Sequence, residues 1–381
     1  MDIIPFKPLI YRKDMDGMLA PPFDAITPQQ EIMLKKNCYN ITYLTLPRGS
    51  NRIEHANRLL QAWKDSNVLS RSEEPLVIIL EQRFHVDGRP VNRYGIISKV
   101  RVYPEDDTVI PHEDVFGEYV EERRNLMFGT GTQLEPIFLI STKASLTKYL
   151  SSVASSLKCD IKFTGPENIE NLVYYVREAE IINEVRSLLR TEKAIVADGH
   201  HRLKAVRQIA ESRKDDTLSF WQYALAYTTS VYDDGVIIGG VHRIVSSGFK
   251  LNISDLEEFF SVEEIQTFDR SSITIYNGKF YRIIPKNREE FSNPVEIVNS
   301  FIFSKLLGFT LKDMERHIIY THDLSQIIDS VDNKGSAFAV LMPDWNKEDL
   351  ISMLKNHVKL PQKSTYFYPK IPSGIAIDSL R

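Results

Sequence analysis

The residues with the strongest chemical signature in this chain are consecutive: Asp198-Gly199-His200-His201-Arg202. A carboxylate, a glycine, two imidazoles and a guanidinium share one corner. An apolar run, Ala194–Ala197, precedes them and reads as a short buried strand; His200 onward reads as a helix. The first N–H groups of a helix have no intrahelical acceptor and the helix dipole is positive there, so such a corner favours anions. Gly199 permits a tight turn and close approach of backbone to a ligand. Arg202 can hold a phosphate or carboxylate through two parallel hydrogen bonds. His200 can act as acid or base near neutral pH. Asp198 can hold magnesium or accept a substrate proton. The plain alternative, a helix start capped by Asp198, accounts for one polar residue and not for five.

Four further segments carry candidate chemistry. Pro111-His112-Glu113-Asp114 offers His112 and Glu113 as an acid/base pair or metal ligands, against the alternative of a charged surface turn. In Ala20-Pro21-Pro22-Phe23-Asp24 two prolines fix an extended backbone that could aim Asp24 into a cleft, or simply form a rigid turn. Gly239-Gly240-Val241-His242-Arg243 ends a strand on cationic residues fit for an anion pocket or for solvent. Lys363-Ser364-Thr365, followed by Tyr366-Phe367-Tyr368, could complete a phosphate site or dock as an ordinary C-terminal strand.

The elements that must position these residues alternate along the chain. Helices are expected at Pro28–Lys36 (Thr27 as N-cap), 55–65, 118–127, 143–157, 178–189 and 200–213. Strands are expected at 76–84, 93–103, 136–141, 172–176, 194–197, 220–229 and 235–241. Asp87-Gly88 is a hairpin signal, with a connection that looks longer than two residues. Beyond Gly248 a helix at 254–260, strands at 272–276 and 279–284, and helices at 294–307 and 347–355 follow. Strands and helices mix with hairpins, so the fold class is α+β rather than a doubly wound parallel sheet. The expected division is 1–250, 251–345 and a tail, 346–381, docking back as helix and strand.

Composition narrows the function classes. The chain has 381 residues, 43% of them hydrophobic and 26% charged, enough for two or three domains. A net charge of -4 makes a generally basic nucleic-acid binder unexpected. Two cysteines, Cys38 and Cys159, without a CxxC pair, read as cytoplasmic and free of a cysteine zinc site. The apolar runs Leu76–Leu80 and Val236–Val241 are far shorter than the roughly 20 residues of a membrane helix. The N-terminus lacks signal-peptide character. Neither GxGxxG nor GxxxxGK[ST] occurs, which argues against dinucleotide and Walker-type loops.

Taken together, Ala20–Asp24, Asn37-Cys38-Tyr39-Asn40, Arg93-Tyr94-Gly95, Pro111–Glu113, Glu122-Arg123, Pro136-Ile137-Phe138, Ala197–Arg202, His242-Arg243 and Lys363–Lys370 resemble, in this order, a largely uncharacterised prokaryotic family with an Ala-Asp-Gly-His-His-Arg signature. That family looks like a distant branch of the ParB/sulfiredoxin-like superfamily, which includes ADP-dependent free serine kinases with a similar Asp-Gly-His-x-Arg corner. The resemblance implies a ParB/sulfiredoxin-like mixed sheet with helices and a smaller C-terminal α+β region. It implies phosphate or nucleotide contacts at Gly199, His201, Arg202, His112, Arg123, Arg243 and Lys363, catalytic roles for Asp198, His200 and Glu113, substrate contacts at Asp24 and Ser364, and Mg2+ at Asp198. This chain departs from the family at Phe23 (usually Tyr), Cys38 (usually Pro), Glu122 (usually Asp) and Phe128-Gly129-Thr130-Gly131 (usually Arg-Ala-Thr-Arg). The expected activity is phosphate transfer between a nucleotide and a small hydroxylated, serine-like metabolite. The alternatives are a non-catalytic nucleotide or metabolite sensor, and a phosphatase or nucleotide hydrolase at the same corner. The expected partners are nucleotide and small molecule, not a membrane, with homo-oligomerisation left open.

Overall fold

Strands rich in branched residues assemble into a nine-stranded mixed sheet in the first part of the molecule. The computed structural model describes every residue except 13–14, 87, 114, 116, 288–292, 357–359, 362 and 381; Asp87, Asp114 and Gln362 of the segments above therefore lie outside the described residues. The sheet strands are β1 (Ile3–Ile4), β2 (Val77–Val86), β3 (Arg89–Arg101), β4 (Val109–Ile110), β5 (Ile137–Ser141), β6 (Ile161–Thr164), β7 (Glu170–Val176), β8 (Ala194–Asp198) and β9 (Tyr223–Ser230). Their order is β4-β8-β5-β9-β3-β2-β7-β6, with β1 beside β3. Pairs β4/β8 and β5/β9 are parallel and the others antiparallel. The fold is mixed α+β.

The sheet is buried on both faces, which is why Val77–Leu80 reads as an unbroken apolar run. One face carries Val77, Ile79, Ile96, Leu139 and Val196. It packs in a single cluster with Leu146 and Leu150 of Ala144–Ser156, Ile182 and Val185 of Ala179–Leu189, and Leu203, Val206 and Ile209 of the helix α1 (His200–Ser212). The opposite face carries a polar and aromatic row. Gln82 pairs with Arg93, Tyr227 with both Ile97 and Phe138, and Phe138 with Asp198. Directly paired residues share a face, so the row runs across β2, β3, β9, β5 and β8.

A bulge sets the end of this row. Val196 opposes Leu139, but the next pair is Asp198 with Phe138, so Ala197 is the extra residue. Without it Ala197 would face Phe138 and Asp198 would turn to the other side.

Several expected elements shift. Thr27 is the N-cap of Pro28–Leu34 in a capping box with Gln30. Val86 pairs directly with Arg89, so the hairpin connection is two residues long rather than longer. Phe220 and Trp221 belong to a short helix, Leu218–Trp221, and the strand starts only at Tyr223. Ile3–Ile4, for which no strand is expected, joins the sheet by backbone pairing that side-chain periodicity does not reveal.

Two compact units emerge: 1–237 with 353–358 and 368–381, and 238–352 with 359–367. The expected boundary at residue 250 falls inside the second unit, and the tail is divided between the two. The second unit holds a six-stranded antiparallel sheet of His242–Val245, Phe260–Ile265, Ile273–Tyr276, Phe280–Pro285, Ile318–Thr321 and Phe338–Leu341. Helix Pro294–Ile297 continues into a π-helix, Val298–Leu306, that buries Val298, Ile302 and Phe303 in this unit's core. No single helix among the described residues is long and apolar enough to cross a membrane.

Gly95 lies where β3 meets the Tyr227 ring, and a Cβ there would sit 2.2 Å from that ring. Gly95→Ala is expected to destabilise the protein by about 1–3 kcal/mol through overpacking. Urea unfolding checks this; an unchanged midpoint would refute the close approach.

Candidate functional site

The Asp198 corner forms because β8 stops at a residue that only a left-handed backbone can follow. Gly199 has φ of +94° and leads directly into α1. A side chain there would be strained and would meet the Arg202 guanidinium at 3.0 Å. Arg202, one turn into α1, is buried and reaches back with Nη1 to the Pro136 carbonyl at 2.6 Å and with Nη2 to Asp198 Oδ2. The other oxygen, Oδ1, accepts from Lys370 Nζ at 2.6 Å. Asp198 thus bridges two cations. Burial would raise its pKa, but Lys370 and then Arg202 reverse this and hold the carboxyl well below its ordinary range. Burial likewise disfavours the Arg202 charge, and Glu135, Asp198 and Asp24 outweigh it, so its pKa lies above the ordinary value.

A second network backs the first. Glu135 Oε1 accepts from the Phe23 backbone N–H at 3.0 Å and from Ser373 Oγ at 2.7 Å. The Phe23 ring lies 4.0 Å from the Arg123 guanidinium. Arg123 is buried, donates to the Thr45 carbonyl at 2.8 Å and pairs with Glu122 at 3.2 Å.

The histidines form a chain beside the carboxylate. His200 Nε2 lies 3.2 Å from His112 Nδ1, and His112 Nε2 lies 3.7 Å from Glu113 Oε1. Burial, with the neighbouring His112, pushes the His200 pKa well below its ordinary value; burial lowers His112 too, against the opposing pull of Glu113. Both rings are therefore neutral at pH 7. His112 also hydrogen-bonds the Val196 backbone. With its Nε2 carrying the proton, Nδ1 accepts from His200 Nε2–H and leaves a lone pair on His200 Nδ1. His201 packs edge-on against Tyr119 with ring centroids 5.5 Å apart.

The family model for proteins of unknown function DUF1015 matches residues 3–303. The chain belongs to the DUF1015 family. No curated protein matches it. Among solved structures it is similar to a conserved hypothetical protein from Pyrococcus furiosus, at 14% identity and a TM-score of 0.40, over 75% of this chain and 95% of that one. It is also similar to free serine kinase in complex with AMP, at 14% identity and a TM-score of 0.41, over 75% and 91%. A third similar structure is C-terminally truncated SbnI from Staphylococcus aureus, at 10% identity and a TM-score of 0.41, over 73% and 85%. Likeness at this distance carries no residue-level inference.

Within this DUF1015 chain the first unit brings together Asp198, Gly199, His200, His201, Arg202, His112 and Glu113. Arg123 joins them through Phe23 and Glu135, and Asp24 through its field on Arg202. Arg243, Lys363 and Ser364 belong to the second unit. There the buried Arg243 donates to the Val241 carbonyl and, at 3.2 Å, to the Lys363 carbonyl. Ser364 donates to the Pro361 carbonyl at 2.6 Å. These contacts tie the tail strand to its own unit. The tail lysine that pairs with Asp198 is Lys370 and not Lys363: Lys363 belongs to the second unit, and the tail rejoins the first unit at Tyr368. Sequence reasoning also missed Glu135 and Arg93, each next to or within a segment it had singled out. Nothing in local spacing joins Lys370 to a carboxylate 172 residues earlier.

The donor set does not fit magnesium at Asp198. Both carboxylate oxygens already face cations, and no group of three or more His, Cys, Asp or Glu among the described residues is arranged to hold a metal ion.

The histidine pair makes a pH prediction with a definite sign. Below pH about 6.5 the unfolded chain takes up protons on His112 and His200 that the folded corner refuses. Stability should therefore fall as pH drops from 6.5, by at most about 1.4 kcal/mol per pH unit for each histidine. Asp198, depressed instead, contributes in full above about 3.9 and loses stability only at lower pH. Urea midpoints at pH 7 and 5.5 should differ less in a His112→Gln/His200→Gln double variant than in the wild type; equal slopes would refute the buried neutral pair.

Proposed function

We propose that this protein is a phosphotransferase that moves phosphate between a nucleotide and a small hydroxylated metabolite of the serine type. The observation that carries this reading is the Asp198 corner. A helix N-terminus, a left-handed glycine, a carboxylate held between Arg202 and Lys370, and a neutral histidine all meet there. Phosphoryl transfer asks for positioned positive groups and a proton acceptor more than for covalent chemistry. The start of α1 together with Arg202 and Lys370 supplies the first; His200 supplies the second. A strongly depressed carboxyl is a poor proton acceptor, so Asp198 acts by holding the two cations in place and His200 takes the proton from the acceptor hydroxyl. His112 and Glu113 orient that ring. Divalent metal, on this reading, arrives with the nucleotide and not through Asp198.

The choice of a serine-type acceptor rests on the sequence resemblance of the corner to the Asp-Gly-His-x-Arg pattern of the free serine kinases. The test is to incubate the protein with ADP, ATP or pyrophosphate and a metabolite pool containing serine, and to search for a phosphorylated product by mass spectrometry. Binding without product in every combination would favour the sensing alternative, and release of inorganic phosphate alone the hydrolase. His200→Gln is expected to lower kcat by about 10²–10⁴-fold with little change in nucleotide affinity, as for loss of a general base. An unchanged kcat in that variant would remove His200 from the mechanism.

A further inference from the structure

The fully buried arginines of the first unit are not alike. Arg202 faces Asp198 and Arg123 faces Glu122. Arg93, at 0% exposure, has no carboxylate in ion-pairing distance among the described residues. Its Nη2 donates to the Gln82 side-chain oxygen and, at 2.5 Å, to the Pro369 carbonyl, both neutral acceptors. Its Nε and Nη1 find no well-aligned acceptor among the described residues, and the Tyr227 hydroxyl beside the guanidinium is its neutral neighbour on that edge. Asp233 lies nearby, but its oxygens accept from the Tyr94 and Gly235 backbone N–H groups at 3.0 and 2.8 Å. Burial outweighs the favourable influence of Tyr227 and Asp233, and the Arg93 pKa lies below its ordinary value.

A buried charge with no carboxylate in ion-pairing distance is costly, and a packed apolar core would not select one. Its setting relates it to the corner. The guanidinium lies over the Phe138 ring, 4.8 Å from its centroid, and over Tyr227 at 5.5 Å. Phe138 opposes Asp198 in the sheet. Pro369, which Arg93 holds, is followed by Lys370, which holds Asp198. Tyr368 and Lys370, on either side of the buried Pro369, are partly exposed. Aromatic faces beneath a guanidinium leave its edge for an oxyanion, which it meets with two parallel hydrogen bonds.

We propose that Arg93 is a second anion-binding residue of this site and receives a phosphate or carboxylate oxyanion of the bound ligand, separate from the group held at the start of α1. The proposal rests on the small-anion reading of the corner but not on phosphate transfer occurring there. Titration calorimetry on the full chain tests it. ADP and pyrophosphate probe phosphate, L-serine probes carboxylate, and adenosine and ethanolamine serve as counterparts lacking the anion. Arg93→Gln is expected to weaken at least one of the three anionic ligands by about tenfold or more, with adenosine and ethanolamine unaffected; the ligand that suffers identifies the oxyanion. The melting temperature of the ligand-free variant should equal or exceed the wild type, since an uncompensated charge has gone. If that variant does not fold, Arg93→Lys, which keeps the charge and loses the fork, should still weaken the same ligand. Wild-type affinities in the variant, or no binding of any of the three by the wild type, overturn the proposal. Binding that depends on Arg93 with no phosphorylated product overturns the phosphotransferase reading alone.

Discussion

The carboxylate of Asp198, held between Arg202 and Lys370, is the interaction on which the rest of the site depends. It joins three pieces of chain: the end of β8, the first turn of α1, and the returning tail. A lone carboxylate or a lone guanidinium buried here would be costly, and removing one partner from such a group typically costs about 3–5 kcal/mol because the others stay buried. The ionised form is secured because each oxygen has its own cation. Glu135 extends the same logic, balancing Arg202 by its field while its side chain ties Phe23 and Ser373 together. Charge here organises backbone that no shared apolar cluster would bring to one point.

Around this centre the polar groups divide into two kinds. Arg202, among Asp198, Glu135 and Asp24, and Arg93, over two aromatic rings, keep positive charge, whereas His112 and His200 are forced neutral by the same burial. Both consequences follow from one cause, the removal of water. An arginine keeps its proton under that pressure because its reference pKa is so high, and an imidazole does not. Under the proposed function these groups present fixed positive charge to an anion beside a ring that takes the proton, without either needing to rearrange. The second unit uses similar residue types differently. Arg243 donates to the main-chain carbonyls of Val241 and Lys363 and Ser364 to that of Pro361, and the histidine preceding Arg243, His242, is pushed down to about 4 by burial and by that arginine.

The local parts of this structure were legible in the residues. Gly199 between an apolar run and a helical stripe announced the corner, and a left-handed glycine stands there. Thr27-Pro28 announced a capped helix, and the apolar spacing of 178–189 announced a helix that buries Val185 and Leu189, although Ile182 rather than Ile181 completes its stripe. Asp87-Gly88 announced a hairpin, although its two-residue length was not legible because pairing continues to Val86 and Arg89 through residues without strong periodicity.

What the sequence alone determined was therefore the chemistry of the corner: which groups follow one another, and that they stand where a strand yields to a helix. Such features depend on a few neighbouring residues and their backbone preferences. Tertiary structure decided who answers whom. It chose Lys370 over Lys363, turned Asp198 onto the face of Phe138 by one bulged residue, set His112 against His200, and buried Arg93 without a carboxylate. Each of these depends on strand order and register, which bring together residues far apart in the chain. The energy that selects them, the burial of apolar faces together with the pairing of desolvated charges, belongs to the whole unit and to no single segment.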